Sequence, residues 1–267
     1  MVNMKIIRLY LWRPQLKIYC GKVYNHLEED LNEFVTVYPD QNGGKFHSKF
    51  ILITTTESLR LIIMTTNITN QMVNNCTNDY YVLDIGKRES IPSKLTRNER
   101  YLKQFFEYTR ITMKRDISEY KWDDVHAQIM VSLPRVLSHS MCWHEIQPVT
   151  DTNGYGIITS TSCNLNFDIK KVLGIQRCKF RYTDKTDKFN WLLYENFDNL
   201  NEYYEMEYIK PFIPYHIKRY IILYTKPWYN KWILITSANL SIAAWGWNNN
   251  YCKNVEIGIA WNFNFES

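Results

Sequence analysis

Two segments of the sequence share the same polar residues in the same order. Each has a histidine, a lysine two positions later, two apolar runs, and an asparagine with Ser or Thr two positions before and after it. The six shared residues are His47, Lys49, Asn67, His216, Lys218 and Asn239. A single histidine–lysine pair arises easily by chance, and a lone histidine is more often a surface or core residue. Repetition of the whole pattern instead predicts that the two segments work together.

The chemistry that these side chains share is binding of a phosphoryl group. Residues two apart in a strand face the same side, so the histidine and lysine of each pair project together. If the two segments pack about a two-fold axis, the six side chains form a cationic cluster with many N–H donors. Such a cluster suits phosphoryl oxygens, which the ammonium and amide groups would bind. The two imidazoles would then flank phosphorus, one attacking it and one protonating the leaving group.

Three asparagines also match the acceptor pattern for N-glycosylation, namely Asn67, Asn75 and Asn239. The N-terminal sequence has no apolar segment long enough for a signal peptide, so we do not expect these sites to be used. No run approaches the roughly 18 apolar residues of a membrane span. We therefore expect an intracellular protein of the nucleus or cytoplasm, which is neither secreted nor bound to a membrane.

The composition is that of a globular protein large enough for two packed halves. The chain has 267 residues, of which 45% are hydrophobic and 22% charged, and its net charge is +5. The small positive excess fits an anionic partner without requiring one. The six cysteines include no C-x-x-C pair, so neither a zinc site nor a thioredoxin-like motif is indicated. Their scatter predicts buried free thiols.

The pattern of apolar residues predicts strands interspersed with helices. Residues 98–121 have the clearest helical spacing, and 22–32 and 198–207 are further predicted helices. Strands are predicted at 4–12, 33–38, 50–54, 59–65, 80–85, 127–133, 156–160, 191–194, 220–224, 231–236 and 255–261. A mixture of this kind belongs to the α/β or α+β class.

The repeated residues resemble the phospholipase D superfamily, and more closely its tyrosyl-DNA phosphodiesterase branch. The general superfamily pattern has an aspartate soon after the lysine, whereas this sequence has Ile53 and Ile222 four positions after its lysines. Both halves have the H-x-K…N form of the branch, and the segment TSANLSIAAWG at 236–246 is especially similar. Asn78 stands where the family has a glutamine that supports the second histidine. Glu256 matches the glutamate that orients the first.

The resemblance implies an α/β, phospholipase D-like fold. It would consist of two similar mixed-sheet halves related by a pseudo-two-fold axis, at residues 1–118 and 119–267. The family has more chain before the first histidine and after the glutamate. We therefore interpret this sequence as a short, core-only member with an open substrate groove.

The resemblance also implies a reaction and its partners. The enzyme would hydrolyse 3′ tyrosyl-DNA, and related 3′-blocked ends, through a covalent phosphohistidine on His47, with no metal or cofactor. His216 would protonate the leaving group and then activate water, and Glu256 would fix the tautomer of His47. Lys49, Lys218, Asn67 and Asn239 would bind the phosphoryl oxygens. The partners would be a single-stranded or nicked DNA 3′ end and the tyrosyl peptide of a topoisomerase adduct.

Four further residues are candidates for DNA binding in the groove between the halves. Phe46 and Trp245 could stack on unpaired bases, although both could instead be packing residues. Ser160 and Ser162 could hold the DNA backbone, or simply form an ordinary turn.

Three other functions remain open from the sequence. A related nuclease acting on DNA or RNA ends is the closest alternative. A lipid phosphodiesterase is less favoured, because the sequence shows no amphipathic basic helix. A DNA-binding module with a decayed site is also less favoured, because all six central residues are present.

Overall fold

The computed structural model describes the parts of the chain that form the two sheets and the site between them. The described residues are 16–20, 34–36, 46–67, 77–111, 113, 115–135, 143–146, 151–163, 168–182, 193–194, 204–209, 216–225, 230–246 and 251–264. The predicted strand at 4–12 and the predicted helix at 22–32 lie outside them.

The first sheet has five strands in the order β2-β1-β3-β4-β5. They are β1 (Leu16–Cys20), β2 (Phe34–Thr36), β3 (Phe50–Thr54), β4 (Ser58–Met64) and β5 (Tyr80–Gly86). Strands β3, β4 and β5 run antiparallel to their neighbours, while β1 is antiparallel to β3 and parallel to β2. The hydroxyl of Thr55 closes the β3–β4 hairpin by accepting the N–H of Ser58 at 2.9 Å. The predicted strands at 50–54 and 59–65 are therefore confirmed as a hairpin.

The second sheet has seven strands in the order β11-β9-β7-β12-β13-β14-β6. They are β6 (Gln128–Ser132), β7 (Asp151–Thr159), β9 (Ile175–Tyr182), β11 (Glu205–Tyr208), β12 (Arg219–Tyr224), β13 (Asn230–Thr236) and β14 (Glu256–Asn264). Strands β8 (Ser162–Cys163) and β10 (Leu193–Tyr194) form a separate pair. The predicted helix at 198–207 is wrong from residue 205 onward, where β11 pairs with β9 instead.

The helices of the described residues are short except for one. They are α1 (Arg97–Thr109), α2 (Trp143–Ile146), α3 (Ile169–Leu173) and α4 (Ile242–Trp245), with 3₁₀ turns at Ile117–Glu119 and Trp122–Asp124. Thr96 and Glu99 form a capping box at the start of α1. The helix ends early, because Arg110 adopts the left-handed conformation at φ 56°. No helix of the described residues is long and apolar enough to cross a membrane.

The two sheets repeat one arrangement of strands and backbone hydrogen bonds. The strand order β9-β7-β12-β13-β14 of the second sheet repeats the order β2-β1-β3-β4-β5 of the first. In the first half, the N–H of Met64 donates to the carbonyl of Lys49, and the N–H of Thr65 donates to the carbonyl of Asp79. The equivalent bonds of the second half run from Thr236 to Lys218 and from Ser237 to Ile257. The fold is therefore α/β with two similar mixed-sheet halves, as predicted. The proposed boundary between residues 118 and 119 stays a prediction.

Apolar packing fixes β14 on both of its faces. Ile259 belongs to a core shared with β3, β4 and α1, whereas its neighbour Ala260 belongs to a second core on the opposite face. In the first core, Phe50 and Phe105 are fully buried and meet edge to face, with ring centroids 5.5 Å apart. Burial of each ring contributes roughly 1.5–3 kcal/mol. Three cysteines of the described residues, Cys163, Cys178 and Cys252, are buried free thiols, as predicted.

We predict that Gly258→Ala destabilises the protein, because a Cβ there has no room. It would lie 2.8 Å from Cβ of Thr236 and 3.0 Å from the carbonyl oxygen of Ile235. Relieving such a contact between packed strands should cost about 1–3 kcal/mol, measured as the free energy of unfolding in urea. Gly86→Ala is the matched control, because its Cβ would meet nothing within 4 Å. Equal losses in the two variants would contradict this explanation.

Candidate active site

The repeated residues lie at the strand ends where the two halves meet. His47 and Lys49 precede β3 and His216 and Lys218 precede β12. Backbone hydrogen bonds across the halves fix both histidines. The N–H of His47 donates to the carbonyl of Val255 at 2.9 Å, and that of His216 to the carbonyl of Thr77 at 2.8 Å.

His47 is oriented by a buried carboxylate from the other half. Its Nδ1 lies 2.9 Å and 3.0 Å from the two oxygens of Glu256, which is fully buried at the start of β14. Ser237 donates to Oε2 of this carboxylate at 2.6 Å, and Asn254 donates to Oε1 at 3.1 Å. Burial by itself raises the pKa of Glu256. The nearby His47, Lys49 and Ser237 outweigh that effect, so the pKa of Glu256 is lowered overall. The carboxylate is thus ionised, so Nδ1 carries the proton and Nε2 presents its lone pair.

His216 is oriented by a backbone carbonyl. Its Nδ1 lies 2.9 Å from the carbonyl oxygen of Thr65, to which Lys218 also donates at 3.0 Å. Nζ of Lys218 also lies 3.1 Å from this Nδ1 and could donate to it only if the nitrogen carried no proton. Because the carbonyl of Thr65 only accepts hydrogen bonds, we assign the proton to Nδ1, which leaves Nε2 for chemistry. Both imidazoles are therefore held through Nδ1 by the opposite half of the protein.

Burial and neighbouring ammonium groups lower the pKa of both histidines. For His47, burial is the largest cause, and Glu256 opposes it while Lys49 and Lys218 add to it. For His216, burial, then Lys218 and Lys49, take the pKa well below its ordinary value. Burial also lowers the pKa of Lys49 to about 8. The two histidines and the two lysines influence one another's pKa because they share one site, in which positive groups outnumber negative ones.

We predict that this site makes the free protein less stable as pH falls below 6.5. The unfolded chain takes up protons on its histidines near pH 6.5, whereas the folded histidines resist protonation until lower pH. The folded state thus binds fewer protons, and the free energy of unfolding decreases through this window. His216→Asn should reduce the decrease, measured by urea unfolding at pH 7.5 and pH 5.5. His126→Asn, outside the site, should leave it unchanged, and equal behaviour of both variants would contradict the prediction.

The asparagines differ in their surroundings. Oδ1 of Asn239 accepts a hydrogen bond from Thr161 at 2.8 Å. Asn67 lies two residues after Thr65, whose carbonyl binds His216 and Lys218. Because the carbonyls of Thr77 and Val255 hold the two histidines equivalently, Asn78 occupies the position in the first half that Glu256 occupies in the second. Its contact with His216 and the catalytic roles of the other predicted site residues stay predictions.

Three of the four residues predicted to contact DNA are buried. Phe46 is buried in the core near Phe105, and Trp245 is fully buried against Tyr220, so neither ring has a face available for a base. The hydroxyl of Ser160 is buried and bonded internally, accepting from the N–H of Leu240 at 3.1 Å. Burial of Phe46 and Trp245 agrees with the alternative interpretation that both are packing residues. Position in the sequence alone could not show this, because it does not indicate which side chains the rest of the fold buries.

Ser162 is only half-buried, and its contact with DNA stays a prediction. Its carbonyl accepts from the hydroxyl of Ser160 at 2.7 Å.

Three supporting residues were missed by the sequence reasoning, namely Thr161, Ser237 and Asn254. Ser237 carries a usable signal, because it is the residue two positions before Asn239 in the repeated pattern. Thr161 and Asn254 have no sequence signal, since each contacts its partner only through the fold. In the described part of the chain, no group of three or more His, Cys, Asp or Glu side chains is placed to hold a metal ion.

Comparisons with known proteins show which family and fold this chain is similar to. A family model described as tyrosyl-DNA phosphodiesterase matches residues 17–158 and 176–265. The yeast tyrosyl-DNA phosphodiesterase structure matches with a TM-score of 0.65 and 14% identity, over 89% of this chain and 72% of that chain. A histidine-to-asparagine mutant of the yeast enzyme gives a TM-score of 0.67 and 13% identity, over 92% of this chain and 77% of that chain. A search of curated protein sequences found no match.

The structural likeness shows the fold, and the family model covers most of the chain. The protein is therefore a phosphodiesterase with a phospholipase D-like fold, and it belongs to the tyrosyl-DNA phosphodiesterase family.

Proposed function

We propose that the protein is a DNA-repair enzyme that hydrolyses 3′ phosphotyrosyl DNA through a covalent phosphohistidine. The observation that supports this most is the pair of imidazoles whose Nδ1 atoms are bound to Glu256 and to the carbonyl of Thr65. Each imidazole is left with Nε2 for reaction. The name of the yeast relative supplies the tyrosyl-DNA substrate, and a topoisomerase peptide is the leaving partner that we propose. Such a substrate implies action in the nucleus or cytoplasm.

In the first step, Nε2 of His47 attacks phosphorus and forms an N–P bond as the P–O bond to tyrosine breaks. His216 transfers the proton on its Nε2 to the departing phenolate oxygen. The free protein disfavours protonated His216, because burial and two lysines lower its pKa. The negative phosphodiester offsets the lysine charges, so substrate binding itself favours the acid form. A phenol has a pKa of about 10, so the proton assists departure without being the whole barrier.

In the second step, the neutral His216 takes a proton from water. The resulting hydroxide forms an O–P bond as the N–P bond to His47 breaks, and the product is a 3′-phosphate. Lys49 and Lys218, with Asn67 and Asn239, bind the phosphoryl oxygens and the charge that grows on them. Donors already in place for that charge typically contribute 10²- to 10³-fold in rate.

The test is cleavage of an oligonucleotide with a 3′ phosphotyrosine in the presence of EDTA, with release of tyrosine and a 3′-phosphate as products. Unmodified DNA and RNA of the same sequence are run beside it. We expect the phosphotyrosyl end to be processed and the unmodified ends to remain. Equal degradation of unmodified ends would instead favour a nuclease, and the absence of turnover on every substrate would reject the proposal.

A further inference from the structure

We propose that Thr161 is a positioning residue, which turns the amide of Asn239 so that its NH₂ group faces the phosphoryl oxygens. The inference rests on the proposed function, because it concerns how that site binds phosphate. Thr161 lies just after β7, is 4% exposed, and donates its hydroxyl proton to Oδ1 of Asn239 at 2.8 Å. Its side chain is therefore shielded from solvent and directed at the asparagine.

The backbone around Asn239 is fixed from two directions. Its carbonyl accepts the indole N–H of Trp245 at 3.0 Å. The N–H of the next residue, Leu240, donates to the hydroxyl of Ser160 at 3.1 Å and to the carbonyl of Ser162 at 3.3 Å. With the main chain held in this way, the remaining freedom of Asn239 lies in its side-chain torsions.

The orientation of the amide decides whether Asn239 attracts or repels an anion. Its oxygen carries negative partial charge and its nitrogen carries two donors. With Thr161 bound to the oxygen, the two donors are left for a phosphoryl group. The flipped amide would direct its oxygen at the anion, which is unfavourable in a buried site where charges are poorly screened. A threonine hydroxyl can donate or accept, so the anion is what disfavours the flipped amide, and the bond from Thr161 to Oδ1 then holds the orientation that binds phosphate.

The two asparagines of the repeat differ in this respect. In the described part of the chain, the side chain of Asn67 makes no hydrogen bond like that between Asn239 and Thr161. Among the contacts of the described residues, the bond from Thr161 orients the amide of Asn239 before an anion arrives. A donor that needs no reorientation stabilises the charge of the transition state more effectively. We therefore expect the contribution of Asn239 to depend on Thr161.

The test compares Thr161→Val, which keeps the shape and removes the hydroxyl, with Thr161→Ser, which keeps the hydroxyl. On 3′ phosphotyrosyl DNA, Thr161→Val should lower kcat about 5- to 30-fold and change KM little. This factor is what loss of one orienting hydrogen bond in the transition state should cause. Thr161→Ser should stay within about threefold of wild type. In an Asn239→Ala background, Thr161→Val should cause no further loss, because its target is gone. The control is Thr159→Val, two residues earlier, which should leave kcat unchanged.

Binding of inorganic phosphate, measured by calorimetry, separates this proposal from the proposed reaction. Thr161→Val should weaken phosphate binding in the wild-type background and have no effect beside Asn239→Ala. If wild type binds phosphate but does not cleave phosphotyrosyl DNA, the proposed function fails while the binding cycle still decides the role of Thr161. Independent losses in the double variant, an equal loss in Thr159→Val, or no phosphate binding by wild type would overturn the inference.

Discussion

We expect a protein–DNA adduct to accumulate when His216→Ala is mixed with 3′ phosphotyrosyl DNA, and none to form with His47→Ala. This is the expected result because the two steps depend on His216 unequally. Phenolate departs from phosphorus with modest help, whereas water is a poor nucleophile without a base. Removing His216 should therefore slow release more than attack, and lower turnover about 10²- to 10⁴-fold. Removing His47 removes the nucleophile itself, with an expected loss on the order of 10⁴-fold or more.

The adduct is measured on a denaturing gel, and its stability identifies the bond. A phosphohistidine should be lost in acid and survive alkali. His126→Ala serves as the matched control, because it replaces a histidine outside the site and should behave as wild type. Adduct formation by His47→Ala, or turnover by that variant at the wild-type rate, would mean that the nucleophile is a different residue.

Lys49→Met should make the protein more stable while removing most of its activity. Lys49 is 3% exposed, and burial lowers its pKa to about 8 from 10.5. Holding it charged at pH 7 thus costs the folded state up to about 3 kcal/mol, which an apolar chain of similar length avoids. The same ammonium should be worth about 10²- to 10³-fold in turnover once a phosphodiester is bound. Stability and activity are opposed at this position.

The pH dependence of unfolding separates this cause from better packing. Between pH 8 and pH 10.5 the folded protein has released the Lys49 proton while the unfolded chain still holds it. Wild-type stability should therefore gain from this lysine as pH rises through that window, and Lys49→Met should lack that gain. The measurement is urea unfolding at pH 7 and pH 9.5, with the exposed Lys253→Met as control. A destabilised Lys49→Met at pH 7 would contradict the argument.

The repeated motif is what allowed the fold and the centre of the site to be predicted from sequence. Two copies of the same short pattern predict two equivalent hairpins. The structure has them, at β3–β4 and β12–β13, with matching hydrogen bonds at their ends. His47 and Lys49, like His216 and Lys218, project into one site, although each pair lies just before its strand and not within it. Glu256 was found through a resemblance, since nothing in its local sequence links it to His47.

The remainder depended on contacts that local patterns do not encode. The apolar spacing of residues 98–121 continues past Thr109, yet the left-handed Arg110 ends the helix there. Phe46 directly precedes His47 and Trp245 follows Asn239 by six positions, but tertiary packing buries both. The carbonyl of Thr65, which binds His216, could not be anticipated, because any residue offers the same backbone oxygen.

Each imidazole takes its orienting partner from the opposite half, and these partners are not alike. His47 has the anionic Glu256, whereas His216 has the neutral carbonyl of Thr65. Two identical subunits related by true symmetry would have to give both histidines the same partner. Joining the halves in one polypeptide removes that constraint, so that a mutation can alter one side without its mirror. The two histidines of a fused chain can therefore take different chemical roles, whereas those of a symmetric dimer must share the same surroundings.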